Sequence, residues 1–389
     1  MATLRIPAVY MRGGTSKGVF FNAADLPPPG PARDRLLLRV IGSPDRFRNH
    51  MDGMGGATSS TSKVVLLSPS TRADCDVDYL FGQVAVDRAV VDWSGNCGNL
   101  SAAVGPCAIG MGLMTAPPEG HCVVRIWQAN IGRRILAHVP MQQGEVVEQG
   151  AFELDGVAFP GAEIRLDFLD PGDGGRTFPT GSVVDTLDVP GVGRVEATLI
   201  DAGNPTVFVH AAALGLQGIE LPAVVDADAA LLERAERVRA QAAVAMGLAA
   251  SAAEATSSRP HTPKLACVSP SADYATSSGA AVTAASVDVV VRIFSMGRLH
   301  HAVTGTGAIA LAAAAAVPGT VVARAVRAPA AGPDTPLRIG HPAGSMRIAA
   351  QARCGDDGAW AVTRVTMSRS ARRLMAGWVF VPDGLPGTP

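Results

Sequence analysis

Short apolar runs separated by glycine- and proline-containing turns recur along the 389 residues of this chain. Most of these runs are rich in Val, which predicts β-strands. The predicted strands are residues 8–10, 19–21, 64–67, 84–86, 123–127 and 135–139 in the first half, and 196–200, 207–209, 265–268, 287–294 and 321–326 in the second. They do not alternate regularly with amphipathic helices, so we expect an α+β fold rather than a doubly wound parallel sheet.

Two other apolar segments each follow a glycine-rich turn. Residues 96–99 (Asn-Cys-Gly-Asn) lead into the apolar residues 100–105, and residues 304–307 (Thr-Gly-Thr-Gly) open the apolar run 308–316. Each pattern predicts the start of a buried helix, where free backbone N–H groups bind anions. The two turns therefore predict the two sides of one anion-binding cleft.

The chain also repeats itself. Residues 61–70 align with residues 262–271, so that Lys63 matches Lys264, and the Ser-Pro-Ser triplets at the ends of the two segments coincide. Residues 18–26 align with 206–214, and the matched pairs keep the same order along the chain, which indicates an internal duplication.

A chain of this length is too long for one compact core, so the duplication predicts two domains of similar size. We place them at residues 1–185 and 186–366, with the boundary near the Gly/Pro-rich stretch 170–181. A segment with helical spacing at residues 226–253 is the candidate insertion in the second domain, where the first offers only residues 32–41.

Charge and cysteine content narrow the function classes. The 33 basic and 34 acidic residues leave a net charge of −1, without the basic excess of a nucleic-acid-binding protein. The N-terminus has no apolar signal core, and the longest apolar run, residues 308–317, is too short to span a membrane. Six cysteines without CxxC spacing are typical of reduced thiols. We therefore expect a cytoplasmic protein without nucleic-acid or membrane partners.

Lys63 is the first candidate for chemistry. It follows a loop rich in glycine and hydroxyl groups, residues 53–62, and leads directly into a predicted strand. A lysine at such a junction can be drawn inward, where loss of solvation lowers its pKa and makes a neutral amine available as a base. The position also suits an ordinary solvated lysine at a strand end.

Cys97 is the second candidate, because a thiol at a helix start is stabilised as its anion. The other five cysteines are interpreted as small buried apolar residues. In the second half Thr304 takes the equivalent place, and a hydroxyl is too weak an acid to exchange protons at neutral pH. The sequence therefore predicts a site without two matched thiols.

Residues 12–18 (Arg-Gly-Gly-Thr-Ser-Lys-Gly) combine two cations with two hydroxyls and suit carboxylate binding, with Arg12 capable of a bidentate contact. A solvent-facing hairpin is the alternative. His300 and His301 are adjacent without an accompanying carboxylate or thiol pattern, so we predict substrate contact by one of them and no metal. Arg369 and Arg372 offer further cations, although surface positions suit them equally well.

Five motifs resemble one known family. They are residues 11–21, 52–63, 76–84, 92–100 and 295–301. Together they are similar to the 2-methylaconitate cis–trans isomerase family of the 2-methylcitrate pathway, and the similarity covers nearly the whole chain. The resemblance implies a diaminopimelate-epimerase-like fold. Such a fold has two related domains, each a β-roll around a central helix, with the site between them and a C-terminal strand (367–389) that can return to the first domain.

The same resemblance implies that Lys63 is the catalytic acid/base and Cys97 the active-site cysteine. The substrate-binding candidates are Arg12, Ser16, Lys17, Ser62, Asn96, Gly98, Asn99, Met296, His300, Thr304, Gly305, Thr306 and Gly307. Epimerases of this fold place two cysteines across the substrate, so Thr304 is a departure from their pattern.

The resulting hypothesis is a cofactor-independent isomerase of an unsaturated tricarboxylate, most simply 2-methylaconitate, in which Lys63 removes an allylic proton and a proton is then returned. Two alternatives stay open. One is a 4-oxalomesaconate tautomerase, and the other is a non-catalytic accessory protein of an aconitase-like dehydratase. A functional link to such a dehydratase and a homodimer are further expectations.

Overall fold

The computed structural model of this chain describes residues 3–171, 177–327 and 335–382. Nineteen strands in these ranges form one continuous mixed sheet, and β14 and β15 form a separate pair. The strands of the N-terminal half are β1 (Thr3–Gly13), β2 (Ser16–Asn22), β3 (Lys63–Pro69), β4 (Val77–Val84), β5 (Val91–Asp92), β6 (Gly120–Gln128), β7 (Arg133–Gln142), β8 (Glu145–Val146) and β9 (Ile164–Leu169). Those that follow are β10 (Asp185–Val189), β11 (Gly193–Ala202), β12 (Asn204–His210), β13 (Lys264–Pro270), β14 (Tyr274–Ala275), β15 (Ala281–Val282), β16 (Val289–Ser295), β17 (Arg298–Leu299), β18 (Leu337–His341), β19 (Gly344–Cys354), β20 (Trp360–Arg369) and β21 (Ala371–Pro382).

The α-helices are fewer than the strands, and the longer ones differ in how much of their surface is buried. They are α1 (Pro31–Ile41), α2 (Ser101–Gly110), α3 (Pro222–Ala227), α4 (Ala229–Ala245), α5 (Ala252–Ser258), α6 (Gly305–Ala315) and α7 (Val321–Ala325). Most of α2 and nearly all of α6 are buried, whereas α1 and α4 each bury one face. None of the helices in the described ranges has the length and apolar content needed to cross a membrane.

The two buried helices are those predicted from the glycine-rich turns, and both predictions are confirmed. A helix that is apolar on all sides must be covered on all sides. Strands do this in each half: α2 packs against β1, β7 and β21, and α6 packs against β11, β12 and β19. Each half of the chain therefore builds its core around one central helix.

Strand pairing follows the internal repeat. β2 runs parallel to β3, with Val19 opposite Val64, and β12 runs parallel to β13, with Val207 opposite Leu265. β3 then pairs antiparallel with β4, as β13 does with β16. Consequently Lys63 and Lys264, aligned in the sequence, are the first residues of equivalent strands.

Three local predictions need correction. Residues 321–326 were expected to form a strand, but most of them form α7, because the Thr320 hydroxyl caps the helix by accepting from the Ala323 N–H at 3.0 Å. This cap outweighs the β-propensity of the paired valines. The predicted helical segment 226–253 is divided at Asp228, which caps α4 in the same way, and again after α4. The predicted strand at 84–86 is only the end of β4.

The last two strands join the halves. β20 pairs antiparallel with β19 and also with β9, and β21 pairs with β1 from Thr3 opposite Pro382 to Gly13 opposite Ala371. The expected boundary at 185/186 falls at the first residue of β10, and the expected domain bounds stay a prediction. Residues 172–176 of the boundary stretch and 383–389 of the returning segment lie outside the described residues.

Candidate active site

The two glycine-rich turns lie directly against each other. A Cβ atom added to Gly305 would stand 2.5 Å from the backbone nitrogen of Asn99, and one added to Gly98 would stand 2.8 Å from that of Thr306. No side chain fits at such distances, so glycine is required at both positions. The N-termini of α2 and α6, the positive ends of both helix dipoles, therefore meet in one place.

Cys97 and Thr304 take equivalent positions at these two helix starts. Cys97 Sγ accepts a hydrogen bond from the Leu100 N–H at 3.5 Å, and Thr304 Oγ1 accepts from the Gly307 N–H at 3.1 Å. In each case the acceptor lies three residues before the donor. Thr304 is the N-cap of α6, whereas Cys97 lies in the turn that precedes Leu100, the N-cap of α2. The buried Cys97 sulfur consequently lies beside a backbone N–H just ahead of α2.

Lys63 lies beside the first of these helix starts. Its side chain is buried, its Nζ donates to Gln83 Oε1 at 2.6 Å, and the same nitrogen lies 4.9 Å from the centre of the Phe81 ring. Burial lowers the pKa of Lys63 from its ordinary value, and the interaction with Cys97 opposes part of that shift. The prediction of an inward-facing lysine is thus confirmed by its position.

A small cavity of about 10 Å³ separates these groups. This volume is close to that of one water probe, so little free space remains between these side chains. The predicted residues that line the cavity are Ser16, Lys63, Asn96, Cys97, Gly98, Asn99, His300, Thr304, Gly305 and Thr306. The fold therefore brings together the predicted base, the predicted thiol and both glycine-rich turns.

Three further side chains line this cavity that were not among the predicted site residues: His261, Lys264 and Ser295. Lys264 Nζ donates to Ser295 Oγ at 2.9 Å and lies 2.9 Å from His261 Nδ1. Burial, followed by the charge of Lys63, lowers the pKa of Lys264 to about 7. The internal repeat, which aligns Lys264 with Lys63, was the sequence signal for it.

The two histidines of the cavity are held neutral. Burial lowers the pKa of both His261 and His300 well below the ordinary value, and the nearby lysines lower both further. His300 Nδ1 accepts from the Ala302 N–H at 3.1 Å, and its ring stacks on that of His301 with 4.6 Å between ring centres.

Two asparagines of the first turn differ in how their side chains are bonded. Asn99 donates to Thr15 Oγ1 at 3.0 Å and accepts from Arg369 Nε at 3.1 Å, so its amide is used within the protein. Asn96 is equally buried, and neither its Oδ1 nor its Nδ2 has a hydrogen-bond partner among the described residues. Its backbone is fixed by the Asn204 side chain, which both accepts from it and donates to it. The Asn96 amide is therefore free to bind a ligand.

Arg12 and Lys17 line a second, larger cavity of about 660 Å³ that shares Ser16 with the first. Arg12 Nη1 donates to the backbone carbonyls of Gly14 and Ser370, at 3.1 and 2.9 Å, so part of its guanidinium holds the hairpin in place. Burial, and then the charge of Arg372, lowers the pKa of Arg12. Arg372 and Arg373 line the same outer cavity, which gives it a cationic wall.

Three predicted residues lie behind the cavity wall. The Ser62 carbonyl accepts from Gln83 Nε2 at 3.0 Å and so positions the amide that binds Lys63. Met296 occupies a turn on the far side of Lys264. Gly307 contributes the N–H that Thr304 accepts. Within the described ranges, no three His, Cys, Asp or Glu side chains are grouped closely enough to hold a metal ion.

Comparison with known proteins places this arrangement in a family. The family model described as PrpF protein matches residues 3–382. The chain belongs to the PrpF protein family. A 2-methyl-aconitate isomerase from Cupriavidus necator is 56% identical, with 97% of this chain and 98% of that protein covered. A 2-methyl-aconitate isomerase from Shewanella oneidensis is 55% identical, with 97% of each covered. A 4-oxalomesaconate tautomerase from Pseudomonas putida is 37% identical, covering 100% of this chain and 99% of the other.

Solved structures agree with this placement. The crystal structure of a methylitaconate-delta-isomerase, 38% identical, superposes with a TM-score of 0.76 and covers 98% of this PrpF-family chain and 96% of its own. A hydroxyproline epimerase from Agrobacterium vitis, 14% identical, gives a TM-score of 0.55 over 98% and 94% of the two chains, a likeness of fold alone. The predicted family, the predicted isomerase class and the α+β, epimerase-like fold are all confirmed.

Proposed function

We propose that this PrpF-family protein isomerises an unsaturated tricarboxylate, and that its substrate is 2-methylaconitate. The observation that carries the proposal is the meeting of Lys63 and Cys97 at one small cavity, between the N-termini of two buried helices. A base beside two anion-binding helix starts suits proton removal from a carboxylate substrate. The choice of 2-methylaconitate as substrate is supported by the names of the two relatives that are 55–56% identical.

In the proposed reaction the neutral amine of Lys63 removes an allylic proton. The C–H bond breaks, an N–H bond forms on Lys63, and the electron pair spreads into the conjugated carboxylate. Backbone N–H groups at the starts of α2 and α6, together with the unpaired amide of Asn96, stabilise that charge. Return of a proton then leaves the double bond moved or rotated. The oxidation state of the substrate does not change, so the reaction calls for no redox cofactor.

The outer cavity suits the role of an entrance. Arg12, Lys17, Arg372 and Arg373 surround it, and a cationic cleft raises the local concentration of an anionic substrate. The inner cavity holds about 10 Å³, far less than a tricarboxylate occupies. In this proposal the groups around Ser16, where the two cavities join, move apart when the substrate enters.

A 4-oxalomesaconate tautomerase is the second candidate, favoured by the relative that is 37% identical and matches the whole chain. Purified protein is to be offered 2-methylaconitate and 4-oxalomesaconate separately, with absorbance and NMR as the readouts. We expect turnover of 2-methylaconitate. Turnover of the keto acid alone would replace the proposed substrate, and no turnover of either would favour an accessory role.

The site residues are tested with a pair of cysteine variants. Cys97→Ala removes the thiol at the cavity, and Cys107→Ala removes a buried thiol within α2 that lies away from the cavity. We expect Cys97→Ala to slow solvent-deuterium exchange into 2-methylaconitate and Cys107→Ala to leave it near the wild-type rate. Equal rates in both variants would remove Cys97 from the proposed site.

Finer aspects of the proposal concern context. An unsaturated tricarboxylate arises by loss of water from a hydroxy acid, which supports a functional link to an aconitase-like dehydratase. We also propose a cytoplasmic location, a homodimer, and division into domains 1–185 and 186–366. The return of the C-terminal segment to the first domain is supported, for its described residues Ala371–Pro382, by the pairing of β21 with β1. Light scattering of the purified protein tests the dimer.

A further inference from the structure

The chain is nearly free of lysine. Of its 33 basic residues only three, Lys17, Lys63 and Lys264, are lysines, and the others are arginines. All three line the two cavities that share Ser16, and the two that reach the inner cavity are both buried. An arginine keeps its proton at every physiological pH, whereas a buried lysine can lose one. The lysines of this chain thus lie at the two cavities, and the two buried ones lie where a base is needed.

The two buried lysines are equivalents in the internal repeat. Lys63 begins β3 and donates to Gln83, which lies opposite it on β4. Lys264 begins β13 and donates to Ser295, the last residue of β16, the strand paired with β13. Each half of the chain therefore presents one amine to the cavity from the same position in its sheet. Thr304 stands where a second cysteine would be expected, so the two halves do not contribute two equivalent thiols. They contribute two equivalent amines instead.

We propose that Lys264 is a second proton-transferring residue of the active site, acting on the substrate from the C-terminal half while Lys63 acts from the N-terminal half. The proposal rests on the proposed function. In one direction of the reaction, the Lys63 amine takes a proton from carbon and becomes an ammonium. The Lys264 ammonium gives a proton to the carbon at the other end of the allylic system, its N–H bond breaks, and the electron pair leaves the carboxylate to form the new C–H bond. Solvent restores both lysines after product release, and the reverse reaction exchanges their roles.

The surroundings of Lys264 allow it both protonation states. Burial lowers its pKa most, the charges of Lys63 and Arg239 lower it further, and Asp92 and Cys97 raise it. The adjacent His261 is neutral, so it can accept a hydrogen bond from the Lys264 ammonium without repelling it. At neutral pH the two lysines together can therefore supply one amine and one ammonium, the combination that the step requires.

The first test needs no substrate. Protein labelled with carbon-13 at the lysine Cε gives three lysine signals, which Lys17→Arg and Lys264→Arg assign. We expect the Lys264 signal to titrate near pH 7, and its titration to shift in Ser295→Ala, which removes a hydrogen bond to that amine. A Lys264 signal that titrates near 10, as a solvated lysine does, would overturn the proposal.

The second test measures turnover of 2-methylaconitate by Lys264→Met, whose folding is checked by near-ultraviolet circular dichroism. We expect kcat to fall by about 10²- to 10⁴-fold with little change in KM, as for loss of an acid–base group. In deuterium oxide, wild-type product should acquire a solvent deuteron, whereas residual turnover by Lys264→Met should retain part of the original hydrogen, because Lys63 alone removes and returns it.

The outcomes separate this proposal from the proposed function. If wild-type protein does not isomerise 2-methylaconitate, the proposed function is wrong. The carbon-13 titration then still shows whether the Lys264 amine loses its proton near neutral pH. If wild type is active and folded Lys264→Met keeps its kcat within threefold, or changes only KM, Lys264 is not a proton-transferring residue and the present proposal fails alone.

Discussion

Around Lys63 in the N-terminal half, the nearest partners are an amide oxygen, a thiol and an aromatic ring, whereas around Lys264 in the C-terminal half they are a histidine and a hydroxyl. The backbone is the same in both places, since each lysine begins the middle strand of a parallel and an antiparallel pairing. The duplicated fold therefore determines where the two amines lie. The different neighbouring side chains determine how strongly each amine binds its proton.

The helix starts show the same division between geometry and chemistry. Cys97 Sγ and Thr304 Oγ1 each accept from the N–H three residues further along the chain, yet a thiol and a hydroxyl differ in their chemistry as acids and nucleophiles. The two halves of the site thus share a backbone arrangement but carry different side chains. One half can therefore take a proton while the other gives one in the same reaction. Four predictions test this comparison.

The largest effect is expected at Lys63. Lys63→Ala should lower kcat for 2-methylaconitate by about 10²- to 10⁴-fold, because the general base is lost. Lys63→Arg should not restore activity, since guanidinium stays protonated. Initial-rate kinetics and solvent-deuterium exchange measure both. Activity of Lys63→Ala within threefold of wild type would mean that the N-terminal half supplies no base.

The second prediction concerns acid sensitivity, which the C-terminal half should dominate through the buried His261, His300 and His341. Burial lowers the pKa of His341 to about 3 and those of the other two well below the usual value. Below pH 6.5 these histidines bind protons in the unfolded chain but remain neutral in the folded chain. The free energy of unfolding therefore falls as the pH drops. Each group contributes up to about 1.4 kcal/mol per pH unit.

Urea unfolding at pH 7.5 and 5.5 measures this loss. His341→Gln should reduce the difference between the two pH values. His121→Gln, which changes an exposed histidine on β6, serves as the control and should leave the difference unchanged. An identical pH dependence in His341→Gln and wild type would contradict the assignment.

The third prediction tests the contact between the helix starts. Gly305→Ala and Gly98→Ala should each destabilise the protein by about 1–3 kcal/mol, because the new Cβ meets backbone atoms and the two halves must shift apart. Gly110→Ala, at the exposed end of α2 with its nearest atom 3.7 Å away, is the matched control and should be neutral or slightly stabilising. Thermal unfolding gives the ranking, and equal stability of all three variants would disprove the close contact.

The smallest effect is expected at the outer cavity, where the cations come from β1, β2 and the last strand rather than from the second repeat. Arg372→Ala should raise KM roughly two- to fivefold at low salt and less at high salt, with kcat unchanged. Arg353→Ala, an exposed arginine on β19, controls for net charge. A KM for Arg372→Ala that matches that of Arg353→Ala would remove the outer cavity from substrate capture.

Much of this site follows from sequence because it is built from local signals. The glycine-rich turns predict the starts of α2 and α6, and the loop before Lys63 predicts its inward position. Other features depend on distant contacts. Arg12 was expected to bind carboxylate, but part of its guanidinium is used by the carbonyl of Ser370, from the far end of the chain. The internal repeat identifies Lys264 as the equivalent of Lys63, but only the three-dimensional structure shows that its side chain lines the cavity.

The pairing of β21 with β1 bears on how such a protein can be shortened. A fragment that contained only the first repeat would keep β1 but lose the strand that covers one edge of it from Thr3 to Gly13. An uncovered strand edge recruits other chains and leads to aggregation. A gene cut between its repeats would therefore yield an aggregation-prone product, unless that edge were covered by other means, such as pairing with a second copy of the fragment.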